Sequence, residues 1–118
     1  MRDPPHNARL EVGRDVRRWT VHITGVEGTP YAGETYSLRL LFPSDYPMRP
    51  PIAYFINHVP RHEHIYSNGD ICLSLLGHDW QPTLSAETIV VSIQSMLSSA
   101  KVKTLPPDNA IRTIYYLL

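Results

Sequence analysis

The chain has 118 residues, a formal net charge of zero and a hydrophobic content of 42%. This length allows one modest core, so we predict a single domain over residues 1–118. Eleven basic residues balance eleven acidic ones. The balance excludes a general electrostatic attraction to nucleic acids or anionic membranes, and we expect neither as a partner.

The single cysteine rules out a disulfide within the chain. The sequence also opens without an apolar leader, and its longest apolar stretches are far shorter than the ~20 residues that span a bilayer. We therefore expect a reducing setting, in the cytosol or the nucleus.

The first half of the chain predicts three strands. Residues 1–16 are predicted to be irregular, because Asp3-Pro4-Pro5 disfavours a helix and the following residues show no period. Apolar and polar residues then alternate over residues 18–24 and 35–42, and residues 52–56 form a short apolar run. Short loops join these strands, which favours an antiparallel sheet, because parallel neighbours need crossovers of a dozen residues or more.

The second half predicts helices. Ser85 is a good N-cap, and apolar residues after it recur at helical spacing, which predicts an amphipathic helix over residues 86 to about 99. A short last helix is predicted to start after a cap at Asp108 or Asn109 and to run through Tyr116. We therefore predict an α+β fold, in which an antiparallel sheet of three or four strands packs on the long helix.

The segment between the third strand and the long helix holds the candidates for chemistry. Cys72 follows the turn signal Ser67-Asn68-Gly69, and His62 and His64 precede it. A thiol just past such a turn can reach the edge of a cleft, as a nucleophile or a thioester carrier must. A lone cysteine between apolar neighbours is more often an inert buried residue, however. The residues alone leave both interpretations open.

A family resemblance bears on this choice. The run His-Glu-His-Ile-Tyr-Ser-Asn-Gly-Asp-Ile-Cys-Leu-Ser-Leu-Leu over residues 62–76, followed by Trp80-Gln81-Pro82, resembles the active-site segment of ubiquitin-conjugating enzymes. Three further segments match that family in order and spacing: Tyr46-Pro47-Met48-Arg49-Pro50-Pro51, residues 92–97 and residues 106–109. The nearest subgroup is the W-type, whose members modify protein N-termini and carry histidine in place of the asparagine of the His-Pro-Asn motif.

The resemblance implies a fold of the ubiquitin-conjugating type and an activity. Cys72 would take ubiquitin as a thioester from the ubiquitin-activating enzyme and pass it to amines of protein substrates, without a cofactor or a metal. His64 stands where the family has asparagine, which donates to the oxyanion or holds the loop, and Glu63 stands where it has proline. A histidine N–H can donate in the same way, or His64 can merely brace the loop.

Other site residues are implied more loosely. His62 is expected to bond the backbone near the turn, and Asp108 to cap a helix. The residues that could support the site are His62, Asn68, Ser74 and Asp108. The positions that contact RING or U-box ubiquitin ligases in the family are occupied here by Met48, Gln81 and Pro82. The family's first helix, which docks on the activating enzyme, has no counterpart in residues 1–16, which predicts either a truncated chain or impaired loading.

The choice of amine can be argued from titration. At pH 7 a lysine with a pKa of ~10.4 is about 0.04% unprotonated, whereas an α-amine with a pKa of ~7.8 is about 14% unprotonated. Family members that use lysine place acids near the cysteine. Here Ser74 replaces a common aspartate, and Lys101-Val102-Lys103-Thr104 is basic where acids are common. We therefore expect N-terminal α-amines to be preferred as acceptors.

Three alternatives stay open at this point. The first is a zinc site, whose possible ligands lack the usual spacing: His58, His62, His64, Cys72 and His78. The second is a catalytically inactive, ubiquitin-binding scaffold of the same fold, against which the retained Cys72 argues. The third is a ubiquitin-like modifier in place of ubiquitin.

Overall fold

A computed structural model describes residues 5–115 of the chain, with side chains up to residue 113. Four strands come first: β1 (Ala8–Val12), β2 (Arg18–Thr24), β3 (Thr35–Leu41) and β4 (Ile52–Ile56). A short 3-10 turn (Ser74–Leu76) precedes two helices, α1 (Ala86–Ser99) and α2 (Asn109–Tyr115). The predicted α+β class is confirmed.

The strands form one antiparallel sheet in the order β1-β2-β3-β4. The predicted bounds of β2 and β4 are confirmed, and β3 ends one residue before the predicted Phe42. In the register of the sheet, Val21 lies opposite Leu38 and Leu40 lies opposite Ala53. Such cross-strand apolar pairs bury one face of the sheet and thereby fix its register.

The prediction that residues 1–16 are irregular is wrong for β1. This strand pairs with β2 along its whole length, from Ala8 opposite Ile23 to Val12 opposite Trp19. It is an edge strand in which only Ala8 and Leu10 pack against the core, while Arg9 and Glu11 are exposed. This alternation is too weak to predict a strand from the local sequence. Backbone hydrogen bonds to β2 stabilise the strand instead. Residues 1–4 lie outside the described part of the chain.

The core lies between the sheet and α1. Ser85 caps this helix as predicted, and its hydroxyl accepts a hydrogen bond from the Thr88 N–H at 3.3 Å. Side chains from both layers are almost fully buried, and each contributes about 1.5–3 kcal/mol by leaving water. The main contributors are Val21, Ile23, Tyr36, Leu38, Leu40 and Phe55 from the sheet and Ile89, Val90, Ile93 and Leu97 from α1.

The short last helix starts where predicted, at Asn109, and is described as far as Tyr115. Its predicted end at Tyr116 lies outside the described residues. In the described part of the chain, both helices lack the combination of length and apolar character that crossing a membrane requires.

Candidate active site

A short hairpin carries the candidate site and extends the sheet beyond β4. The Phe55 N–H donates to the Gly69 carbonyl at 2.9 Å, and Tyr54 forms an antiparallel bridge with Asp70. These backbone contacts attach the hairpin to the edge of β4. The site is therefore attached to a regular element, β4, which holds side chains in place better than a free loop does.

The two arms of the hairpin place the candidate nucleophile beside a histidine. The Cys72 N–H donates to the His64 carbonyl at 2.8 Å, and the Tyr66 N–H donates to the Asp70 carbonyl at 2.8 Å. In this register Cys72 lies directly opposite His64, and directly opposed residues project to the same face with Cβ atoms about 4.5–5.5 Å apart. Both residues are exposed. The thiol and the imidazole are therefore neighbours at the surface.

A turn with a left-handed glycine closes the hairpin. The Gly69 N–H donates to the Tyr66 carbonyl at 2.9 Å, and Gly69 has a φ of 98°, a conformation that glycine adopts without penalty. The Asn68 side-chain oxygen accepts a hydrogen bond from the Asp70 N–H at 3.1 Å. Asn68 therefore braces the turn through the backbone.

A cleft of about 520 Å³ opens beside Cys72. Its apolar wall comes from the proline-rich loop before β4, and its charged groups are Arg49, Arg112 and Asp70. The Arg112 guanidinium lies 5.0 Å from the centre of the Tyr66 ring. The sulfur is therefore placed at the edge of an open space with more positive than negative groups.

His62 joins the hairpin to α1 and is buried, with 3% of its surface exposed. Its Nε2 lies 3.0 Å from the Met96 carbonyl oxygen, and its Nδ1 lies 2.9 Å from the His64 backbone nitrogen. Because a carbonyl only accepts and a backbone N–H only donates, the ring is neutral with its proton on Nε2. Burial lowers the pKa of His62, which favours the same neutral form.

His64 combines a fixed backbone with an exposed ring. Its N–H is bound by His62 and its carbonyl by Cys72, whereas 52% of its side chain is exposed. The ring Nε2 lies 3.8 Å from Oε1 of Glu63. The imidazole can therefore exchange protons or donate a hydrogen bond at the face that carries the thiol.

The start of α2 contacts the hairpin from a distant part of the chain. The Tyr66 hydroxyl donates to the Asp108 carboxylate at 3.0 Å, and the Ser67 N–H donates to the Asn109 side-chain oxygen at 2.9 Å. Burial raises the pKa of Tyr66 most, and the hydrogen bond to the Asp108 carboxylate raises it further. Asp108 stands directly before α2, where its carbonyl accepts from the Arg112 N–H at 3.0 Å, and its carboxylate binds the hairpin in addition. The contacts of Tyr66 with Asp108 and of Ser67 with Asn109 were not predicted, because no local sequence pattern links residues 42 positions apart.

The predicted ligase-facing residues lie on two loops that Trp80 holds together. The Trp80 indole N–H donates to the Pro47 carbonyl at 2.8 Å, and Trp80 itself packs against the core. Met48 is 68% exposed, and Gln81 and Pro82 are exposed as well. One solvent-facing surface therefore contains all three residues.

Other predicted residues have structural contacts of their own. Ser74 is exposed and begins the 3-10 turn. His58 stacks on Tyr36, with ring centres 5.0 Å apart, and Lys103 binds Glu34 at 2.8 Å. Within residues 5–115, no group of three or more histidine, cysteine, aspartate or glutamate side chains is placed to hold a metal ion.

Comparisons with known proteins agree with the sequence resemblance. A family model described as ubiquitin-conjugating enzyme matches residues 1–116. The chain is 45% identical to ubiquitin-conjugating enzyme 15 of Arabidopsis thaliana over 91% of its own length and 66% of that protein's. It is 44% identical to probable ubiquitin-conjugating enzyme E2 W-A of Danio rerio, over 92% of the chain and 74% of that protein. It thus spans slightly under two thirds of the Arabidopsis relative.

Solved structures of ubiquitin-conjugating enzymes have the same fold as this chain. The crystal structure of the ubiquitin-conjugating enzyme E2 UbcA1 from Agrocybe aegerita superimposes with a TM-score of 0.89 at 37% sequence identity. The match covers 95% of this chain and 84% of that structure. The predicted arrangement of an antiparallel sheet and a long helix is therefore confirmed at the level of the family fold.

Proposed function

The chain belongs to the ubiquitin-conjugating enzyme family, and from this premise we propose that it carries ubiquitin as a thioester on Cys72 and transfers it to protein α-amines. One observation supports the proposal above all. The thiol is exposed beside a cleft, opposite an exposed imidazole, on a hairpin that backbone hydrogen bonds attach to the sheet. A buried sulfur could not exchange acyl groups with another protein.

The reaction has two acyl exchanges. In the first, the Cys72 thiolate attacks the thioester between ubiquitin and the activating enzyme, a new S–C bond forms, and the enzyme's thiol leaves. In the second, an unprotonated amine attacks the carbonyl carbon, the N–C bond forms, and Cys72 leaves as a thiolate while the amine nitrogen loses a proton. Neither step needs ATP on this chain, because both exchange activated bonds.

His64 is proposed to act on the second step. The attack creates an oxyanion, and one preorganised donor near such an oxygen lowers the barrier by about 2.7–4 kcal/mol. The His64 ring lies on the same face as Cys72, and it is exposed while its backbone is fixed. An imidazole in this position can donate its N–H to the oxyanion.

The preference for α-amines is supported by what the nearby acids and bases do. A lysine acceptor must first lose a proton, and a free carboxylate near the cysteine would help. Asp108 binds the Tyr66 hydroxyl, and Lys103 binds Glu34. Glu63 beside His64 and Asp70 in the cleft are still available, but an α-amine, which is already partly unprotonated at pH 7, depends far less on a base than a lysine does.

The partners follow from the same family membership. We propose ubiquitin and the ubiquitin-activating enzyme as partners, and a RING or U-box ligase bound to the surface formed by Met48, Gln81 and Pro82. The reaction is assigned to the cytosol or the nucleus, where a single exposed thiol stays reduced.

The test uses purified protein with ubiquitin, activating enzyme and ATP. A covalent adduct with the mass of one ubiquitin is expected on Cys72, removable by thiol and absent in Cys72→Ala. Discharge is then compared between a peptide whose only amine is its α-amine and Nα-acetyl-lysine. Absence of the adduct would favour the noncatalytic scaffold, and faster discharge to Nα-acetyl-lysine would contradict the α-amine preference.

A further inference from the structure

A second groove borders the hairpin at His62 and Glu63. It has a volume of about 270 Å³ and runs between the segment His62–Glu63 and the end of α1 with the loop that follows it. This volume is slightly below the range of about 300–1,000 Å³ that is usual for small-molecule sites. Such a groove suits the end of a peptide chain better than a whole small ligand.

The charges along this groove are arranged as a dipole. Glu63 supplies a carboxylate on the hairpin side, and Lys101 supplies an ammonium on the opposite side. His62, which forms part of the wall, is neutral because its ring bonds Met96 and the His64 N–H. The apolar part of the lining comes from Ala100 and Val102, of which Val102 is 65% exposed.

The carboxylate end of the groove adjoins the reacting atoms. Glu63 is 66% exposed in its side chain, and its Oε1 lies 3.8 Å from Nε2 of His64. His64 in turn lies opposite Cys72 in the hairpin, with a backbone hydrogen bond of 2.8 Å between them. A cation held at Glu63 would therefore enter the site next to the imidazole and on the side of the thiol.

From these features we infer that the groove between residues 62–63 and 99–104 binds the N-terminal residue of the acceptor protein, with its α-ammonium on Glu63. The inference rests on the proposed transfer to α-amines. The first carbonyl groups of the acceptor face Lys101, and its first side chain lies on Ala100 and Val102. Charge complementarity supports this occupant, because a chain N-terminus carries a positive group followed at once by carbonyl oxygens, which matches the dipole of the groove.

The arrangement also provides acceptors for the protons that the α-ammonium must lose. The α-ammonium bound at Glu63 loses its proton to the unprotonated nitrogen of the His64 ring, and the free amine attacks the thioester carbonyl carbon. The N–C bond forms, the C–S bond breaks, Cys72 leaves as a thiolate, and this thiolate takes up the second proton that the nitrogen loses. No further reactant is needed.

Binding can be tested without any chemistry, on the unloaded protein. A short peptide with a free α-amine, uncharged side chains and an amidated carboxyl end is titrated into labelled protein and followed by NMR. Shifts are expected in the backbone signals of residues 62–64 and 99–104, and they should vanish when the α-amine is acetylated. Shifts confined to the cleft beside Arg49, or equal shifts with the acetylated peptide, would overturn the inference.

Discharge of the ubiquitin thioester gives the second readout. Once loaded with ubiquitin, Glu63→Gln is expected to show a KM for the peptide about two- to fivefold higher, as for other exposed charge pairs. Raising the salt concentration should raise the wild-type KM for the peptide towards that of the variant, because salt weakens exposed ion pairs. Discharge to hydroxylamine, which is too small to need the groove, should change less than discharge to the peptide.

Two comparisons complete the design. Glu27→Gln removes the same charge from an exposed turn and should leave the KM for the peptide unchanged. Lys101→Gln should raise the KM for the peptide but not that for Nα-acetyl-lysine, whose side chain has no carbonyl beside its amine. If all proteins load ubiquitin but Glu63→Gln and Glu27→Gln behave alike, the groove is not the acceptor site. If the wild type does not load, the proposed function itself fails, whatever the NMR titration shows.

Discussion

At the scale of single residues, His64 shows how a side chain can be freed for chemistry by fixing its backbone. Its N–H binds Nδ1 of His62, and its carbonyl accepts from the Cys72 N–H. Both bonds involve main-chain atoms of His64, and an alanine in its place would keep them. The ring is therefore not needed to brace the hairpin through these bonds, which supports a chemical role for it.

We expect His64→Ala to slow discharge of the thioester about 100- to 1,000-fold, as removal of an oxyanion donor does in other enzymes. Thioester formation and the free energy of unfolding should change little. His64→Asn, which restores a donor of the family type, should recover much of the rate. Single-turnover discharge and urea unfolding would measure both effects. A large loss of stability with a small effect on discharge would show that the ring only braces the loop.

Gly69 is the residue whose replacement should disturb the hairpin most directly. A Cβ atom added there would lie 2.2 Å from the Phe55 carbonyl oxygen, and the φ of 98° is unfavourable for other residues. We expect Gly69→Ala to lower the free energy of unfolding by at least ~2 kcal/mol. Gly28→Ala is the matched control, because Gly28 has a φ of 85° but open surroundings. Equal losses in urea unfolding would mean that the contact with Phe55 is unimportant.

At the scale of elements, the hairpin is held by three neighbours. β4 binds it through Phe55 and Gly69, α1 through the Met96 carbonyl and His62, and the start of α2 through Asp108 and Asn109. These contacts join the hairpin to the sheet and to both helices. The site is therefore preorganised before any partner binds, which reduces the free energy spent on ordering it.

The contact between α1 and the hairpin should make stability depend on pH. Burial lowers the pKa of His62 in the folded state, so the unfolded chain binds a proton first as the pH falls. The neutral His62 ring contributes its full share to the free energy of unfolding above the pKa of the unfolded state, about 6.5. This contribution is lost as the pH falls through the lower pKa of the folded state. His62→Gln, which cannot ionise, should show a smaller decline in the free energy of unfolding between about pH 7 and 5.

His78→Gln provides the control for that measurement. His78 is 83% exposed in its side chain and takes no part in the contact between the hairpin and α1, so its replacement shows whether an effect on unfolding is specific to His62. If both variants follow the wild-type curve, the buried ring does not control acid sensitivity in this range.

At the scale of the whole molecule, we propose different partners for two surfaces. The first comprises the cleft beside Cys72 and the groove beside Glu63, which border the hairpin and would face ubiquitin and the acceptor. Met48, Gln81 and Pro82 lie on the loops that Trp80 joins through Pro47. An exposed methionine can fill an apolar groove on a partner because its side chain is long and flexible.

We expect Met48→Glu to weaken ligase binding about tenfold or more, as the loss of a central apolar contact does at protein interfaces. The measurement is the ratio of ligase-stimulated to unstimulated discharge with a RING ligase. Val16→Glu is the matched control, because Val16 is an exposed apolar residue at 74% on a different loop. A ratio reduced equally by both variants would argue against a ligase surface at Met48.

The local sequence determined much of this fold. The alternation in β2 and β3, the apolar run of β4 and the Ser85 cap of α1 depend on neighbouring residues, and the structure has these elements where they were predicted. The segment around Cys72 also predicted the family, because its residues are contiguous. The side-chain contacts of the site were harder to predict, since a carboxylate such as that of Asp108 has several equally good local and distant partners.

Only the tertiary structure decided which partner each polar group takes. β1 is a strand because β2 offers it hydrogen bonds, not because its own residues alternate strongly. His62 binds a carbonyl 34 residues away, Asp108 binds a hydroxyl 42 residues away, and Lys103 binds a carboxylate 69 residues away. Hydrogen bonds between such distant residues form only after the apolar faces of the sheet and α1 have packed. These hydrogen bonds join the ends of separate elements. No local sequence pattern specifies such pairs.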